Sequence, residues 1–68
     1  MQTQQTVQLV PARYVVIKLA AQLTGYTPKA IQQKIHRGDW REGLEYRRGQ
    51  DGRVLVDMLG YARWVVNR

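Results

Sequence analysis

Residues 27–56, TPKAIQQKIHRGDWREGLEYRRGQDGRVLV, decide how this chain is read. Thr27 is a strong N-cap type, and Pro28 suits the first helical position, where its missing N–H costs nothing. Gly38 is placed to end that helix, because glycine takes the left-handed conformation without a steric penalty. Asp39 to Gly43 is a polar loop carrying Trp40, which is expected to fold back over the core. Two strand-like runs follow, Leu44-Glu45-Tyr46-Arg47-Arg48 and Arg53-Val54-Leu55-Val56, with Gly49-Gln50-Asp51-Gly52 between them. An Asp-Gly turn between such runs predicts a β-hairpin, glycine supplying the positive φ.

Outward from this stretch, residues 1–12 stand apart as a polar N-terminal segment, and residues 13–68 are expected to form the folded domain. Within the segment, Val7-Gln8-Leu9-Val10 alternates weakly before Pro11 and could form a short edge strand. Tyr14-Val15-Val16 is aromatic and β-branched, an extended lead-in that docks on the core. A first helix is expected from Ile17 to Thr24, with Leu19, Ala20 and Leu23 on one face and Gly25 ending it. Gly25-Tyr26-Thr27 then makes the tight turn of a helix-turn-helix. Asp57 is placed to cap a last helix from Met58 to about Asn67. Met58, Tyr61, Trp64 and Val65 share its inward face.

With 68 residues the chain has room for one small core, and stability of only about a few kcal/mol is expected at this size. It contains no Phe, so Trp40, Trp64 and four tyrosines supply most of the bulk. It contains no Cys and a single His, which excludes a disulfide framework and argues against a structural metal site. Eleven Lys and Arg against five Asp and Glu give a net charge of +6, with a pI near 10.3. That balance favours an anionic partner such as nucleic acid. The first ten residues lack a basic n-region and a long apolar core, so no signal peptide is read there. No apolar run approaches the ~20 residues of a membrane span. A cytoplasmic location without membrane association is the expectation.

On a wheel of ~100° per residue, Ile31 and Ile35 share one side of the second helix. Lys29, Gln32, Gln33 and His36 gather on the other, with Arg37 at its edge. Gln and Lys are among the types that read base edges in the major groove. No acid lies between Lys29 and Arg37 to repel phosphate. The alternative is an ordinary solvated helix face, where Gln and Lys are common; the preceding tight turn and the basic hairpin shift the balance toward recognition. In the hairpin, Tyr46 and Leu55, with Val54, can face the core, leaving Arg47 or Arg48 and Arg53 near the tip. There they can contact phosphates or enter a narrow minor groove, although arginines also protect a strand edge from aggregation. His36 has no nucleophile or second ligand to pair with, and the five acids sit in loops, turns and a cap. Neither an enzyme nor a bound cofactor is expected, and the turn from Gly49 to Gly52 is not a phosphate-binding glycine loop.

A polar basic helix beside an arginine-bearing hairpin is the layout of a winged helix. The expected class is α+β: a helix-turn-helix, a two-stranded β-hairpin wing and a C-terminal helix. Several segments in order, Leu19-Ala20-Ala21-Gln22-Leu23-Thr24-Gly25-Tyr26, Lys29-Ala30-Ile31, Lys34-Ile35, Arg37-Gly38-Asp39-Trp40, Gly43, Tyr46-Arg47-Arg48, Asp51-Gly52-Arg53 and Trp64, resemble the small phage and prophage excisionases with a MerR-like winged-helix fold. The resemblance runs from about Tyr14 onward. It implies a non-catalytic recombination directionality factor that binds double-stranded DNA in a phage attachment region, bends it, self-associates cooperatively on it and steers integrase toward excision. Carried onto this chain, Lys29, Gln32, Gln33, His36 and Arg37 would enter the major groove, and Arg47, Arg48 and Arg53 would form the wing contacts. Some excisionases contact integrase through a tail beyond the folded domain; this chain stops at Arg68, so DNA bending with self-association is the expected mechanism. A small prophage transcription regulator of the same fold, or a protein-interaction module with a basic face, would use the same features.

Overall fold

The Thr27 hydroxyl accepts the Ala30 amide at 3.0 Å, and Pro28 follows it in the first turn, so the central helix starts where its local chemistry allows. In the computed structural model, which describes residues 12–67, this helix lies third among six elements. They are strand β1 (Tyr14–Val16), helix α1 (Ile17–Thr24), helix α2 (Pro28–Arg37), strand β2 (Tyr46–Arg48), strand β3 (Val54–Asp57) and helix α3 (Met58–Val66). The short strand expected at Val7–Val10 lies outside the described residues.

The three strands form one antiparallel sheet in the order β1-β3-β2. Tyr14–Val16 is therefore a full member of the sheet and not only a lead-in. Val15 stands opposite Val56, and Tyr46 stands opposite Val56 from the other side. Because side chains alternate along a strand, these three share the face that packs on the helices. Leu55, expected to face the core, points to the opposite face, paired with Val16 and Arg47. Val56 is the fully buried residue instead. The register explains the difference: Asp57 is held at the start of α3, and counting back by twos from a fixed end leaves Leu55 no other side.

Helix α1 also turns a different face inward. Ala20 and Ala21 are buried, while Leu19 is 41% and Leu23 59% exposed, against expectation. Ile17 packs on the core, so the inward set is Ile17, Ala20, Ala21 and the half-buried Thr24. Small side chains let α1 approach α2 closely, and a leucine at either alanine position would hold the two apart. In α3, Met58, Tyr61 and Trp64 pack on the core as expected, but Val65 is 49% exposed.

The core is Val15, Ala20, Ala21, Ile31, Trp40 and Val56. Trp40 reaches it because Gly38 takes a left-handed φ of 83° and sends the chain back beneath α2. The Trp40 amide donates to the Lys34 carbonyl at 3.0 Å, which ties the loop to the helix it has just left. Rings of Tyr26, Tyr61 and Trp64 meet the indole edge to face at 6.5, 6.0 and 5.7 Å. The Lys34 ammonium lies over Tyr26 at 4.6 Å and over Trp64 at 5.3 Å, linking α2 to α3 across the cluster.

Asp57 ties the sheet to the last helix. Its Oδ1 accepts the Leu59 and Gly60 amides at 3.0 and 3.2 Å, capping α3. The same carboxylate takes Arg13 Nε and Nη2, each at 3.1 Å, in a two-pronged ion pair. Burial by itself would raise the Asp57 pKa, but the Arg13 guanidinium and the two amides outweigh it and hold the carboxyl below its ordinary value. A depressed folded-state pKa means that the unfolded chain takes up the proton first as pH falls. The stability Asp57 contributes is thus present above the ordinary carboxylate pKa and is lost as pH drops through the lower, folded-state value. Asp57→Ala is expected to cost about 0.5–2 kcal/mol through the lost cap alone. It should also flatten the decline of the thermal midpoint below about pH 4. Thermal melts of both proteins across pH 2–7 check this, and parallel curves would remove Asp57 from the account.

Candidate nucleic-acid interface

The outward side of α2 is polar because its inward side is spent on Ile31, fully buried, and Ile35, which packs on the core. Lys29, Gln32, Gln33, His36 and Arg37 are all exposed, and the helix contains no acid. Five hydrogen-bonding side chains, three of them basic types, therefore share one solvent-facing surface about ten residues long. Basic residues also occupy the last turn, where the negative end of the helix dipole favours them. Among the described residues no acidic side chain forms an ion pair with Lys29 or Arg37; the ion pair found there is Arg13–Asp57. Lys34 is on the same helix but is half-buried against rings, which sets it apart from this surface.

The hairpin places its three arginines differently. All are exposed, but the register puts Arg47 opposite Leu55 and Arg48 opposite Val54, so the two side chains leave opposite faces of β2. Arg47 Nη2 donates to the Gly43 carbonyl at 3.3 Å and Arg48 Nη1 to the Gly52 carbonyl at 3.4 Å. Bonds of this length are weak and are readily exchanged for a phosphate oxygen. The turn between the strands closes through Gly52 N–H to the Gly49 carbonyl at 2.9 Å and Gly49 N–H to the Arg53 carbonyl at 2.8 Å. Asp51 is occupied within it, its Oδ1 accepting the Arg53 amide at 3.0 Å. The acid thus shapes the turn, and among the described residues the Arg53 guanidinium has no ion-pair partner.

One further exposed cation, which the sequence pattern does not mark, lies beside the hairpin: Lys18, at the second position of α1. It lines a cleft of about 360 Å³ together with Val16, Ile17, Arg53 and Val54. A lysine in a short amphipathic helix carries no local mark of such a role; only the pairing of β1 with β3 brings it beside the hairpin. A larger cleft of about 530 Å³, lined by the loop after α2 and by α3, mixes Arg41 and Arg63 with Asp39 and Glu45, a balance of charge that does not suit a polyanion. Among the described residues no group of three His, Cys, Asp or Glu side chains could hold a metal ion. None of the described helices is long and apolar enough to cross a membrane.

These features define a small α+β protein that presents a basic, hydrogen-bonding helix face and an arginine-bearing hairpin. The family model described as "Putative excisionase (DUF1233)" matches residues 6–68, and the chain belongs to that family. No curated protein and no solved structure matches the chain.

Proposed function

We propose that residues 13–68 form a MerR-like winged-helix domain that binds attachment-site DNA, bends it and directs integrase toward excision. In this reading α2 enters the major groove with Lys29, Gln32, Gln33, His36 and Arg37. The β2–β3 hairpin is the wing, and Arg47, Arg48 and Arg53 contact phosphates or the adjacent minor groove. Cooperative self-association along the DNA completes the assembly that integrase encounters. The observation that carries the reading is the division of α2: Ile31 is wholly buried on one side, and an acid-free surface of donors and acceptors is exposed on the other. A purely structural helix would be expected to mix acids with its surface bases, as pairs four residues apart stabilise it. Membership of the excisionase family supports the same conclusion.

A gel-shift titration at physiological salt tests it directly, with attachment-region DNA compared against a random duplex of equal length. Tighter, stepwise shifts on the attachment DNA are expected. Equal weak binding to both would leave a general DNA binder or a transcription regulator with another target. Failure to bind either would point to a protein partner.

Base reading and backbone gripping separate by mutation. Gln33→Ala should weaken attachment-site binding more than random-duplex binding, with about 1–3 kcal/mol of discrimination at stake. Equal losses on the two DNAs would remove Gln33 from the reading set. Replacing Arg47 and Arg48 together by Ala should weaken binding to every sequence and lower the salt slope by about 0.9 per lost phosphate contact. Since the two side chains leave opposite faces of β2, one of the single substitutions should account for most of that change. An unchanged slope in the double variant would show that the hairpin is not a wing in function.

A further inference from the structure

We infer that Lys18 and Arg53 form one seat for a backbone phosphate of the bound duplex, separate from the exposed face of α2. The inference rests on the DNA-binding reading above and assigns it a contact that joins the first helix to the wing. The two residues lie 35 positions apart in the chain (53 minus 18), and the sheet brings them together. Strand β1 pairs with β3, with Val16 opposite Leu55, so the start of α1 lies beside the entry to β3. Val16, Ile17 and Val54 line the cleft that Lys18 and Arg53 share.

Three observations point to an anion there. First, the cleft has two cationic side chains and no acidic lining residue. Second, among the described residues neither side chain has an ion pair or a hydrogen bond, unlike Arg47 and Arg48, which both have carbonyl partners. The acid in the adjoining turn, Asp51, accepts the Arg53 amide and forms no ion pair with the Arg53 guanidinium. Third, Val16 offers α1 no side-chain cap and the first turn of α1 holds no acid, so neither offsets the positive end of the helix at this corner. Two like charges over a partly apolar floor repel each other, and a phosphodiester oxygen between them would relieve that repulsion. The chemistry is complementary: arginine offers a planar fork to two phosphate oxygens, and lysine a compact charge.

Fluorescence anisotropy with a random-sequence duplex, repeated at several salt concentrations, tests the seat. The proteins compared are the wild type, Lys18→Gln, Arg53→Gln, the double variant and Arg63→Gln, which removes the same charge from the other cleft. If one phosphate is shared, the double variant lowers the slope of log K against log salt by about 0.9. The two single losses multiplied together then fail to match the double loss, because the side chains act on one group. Arg63→Gln leaves the slope at the wild-type value. A double variant with the wild-type slope overturns the seat and leaves the DNA-binding reading standing, provided the wild type binds. A fall of about 1.8 with multiplicative losses also overturns it, since the cations then grip two phosphates independently. A wild type that binds no duplex overturns both the seat and the reading beneath it.

Discussion

Trp40→Ala is expected to leave most of the protein unfolded at 25 °C. Trp40 is the largest of the fully buried side chains, and the rings of Tyr26, Tyr61 and Trp64 all close on it. Truncating a buried tryptophan costs about 3–5 kcal/mol through lost transfer energy and the cavity that remains. Each edge-to-face ring contact adds about 0.5–1.5 kcal/mol beyond its buried area. One term runs the other way: the indole Nε1 is buried without a hydrogen-bond partner among the described residues, so its removal also removes an unsatisfied donor. That relief is about 1–3 kcal/mol at most and does not offset the cavity. A domain of 68 residues without disulfides has only about 3–5 kcal/mol to lose. Urea unfolding followed by far-UV circular dichroism reads the outcome. A cooperative transition at the wild-type midpoint would show that the aromatic cluster is not what holds α2 and α3 together. Loss of the cluster should abolish the proposed DNA binding as well, since the Trp40 amide and the Lys34 ammonium connect that cluster to α2.

Gly60→Ala should be destabilising by about 3 kcal/mol or more, at the upper end of overpacking costs. Helix propensity alone gives the opposite sign, because alanine in the interior of a helix is favoured over glycine by about 1 kcal/mol. Gly60 is buried, and a Cβ built on it would overlap the Leu44 carbonyl oxygen and crowd the backbone of Glu45. The obstruction is backbone and not the end of a flexible side chain, so α3 would have to move away from the loop that leads into β2. That loop is pinned from several directions: the Asp57 amide donates to the Glu45 carbonyl at 2.9 Å, and Glu45 Oε1 accepts the Arg41 amide at 2.9 Å. Thermal denaturation of Gly60→Ala beside Ala62→Gly, a glycine placed at an exposed position of the same helix, separates the two effects. Propensity predicts opposite signs for the pair, whereas close approach at Gly60 predicts that both are destabilised, Gly60→Ala the more. A stabilised Gly60→Ala would show that α3 does not lie against the Leu44 backbone.

Local chemistry was enough to place most elements. Thr27 with Pro28 and Gly38 bounded α2, Gly25 ended α1, Asp57 began α3, and the turn from Gly49 to Gly52 separated two strands, all where the structure has them. The exposed polar side of α2 followed from the spacing of Ile31 and Ile35. Faces chosen by a distant partner were not accessible in this way. Leu19 and Leu23 looked inward by their hydrophobicity, yet α1 packs through Ala20 and Ala21 because the space against α2 is narrow. Leu55 and Val56 are equally apolar neighbours, and only the register with Val15 and Tyr46 decides which of them is buried.

By itself, then, the sequence determined the order and limits of the helices, the hairpin turn, the excess of positive charge and the polar surface of α2. Each depends on residues within a few positions of one another, whose caps, glycines and periodicity act without knowledge of the fold. The tertiary structure alone decided that Tyr14–Val16 is a strand, that Arg13 clamps Asp57, that Gly60 must lack a side chain and that Lys18 meets Arg53 at one cleft. These depend on distances between segments far apart in the chain, which the sheet order β1-β3-β2 sets and no local pattern encodes.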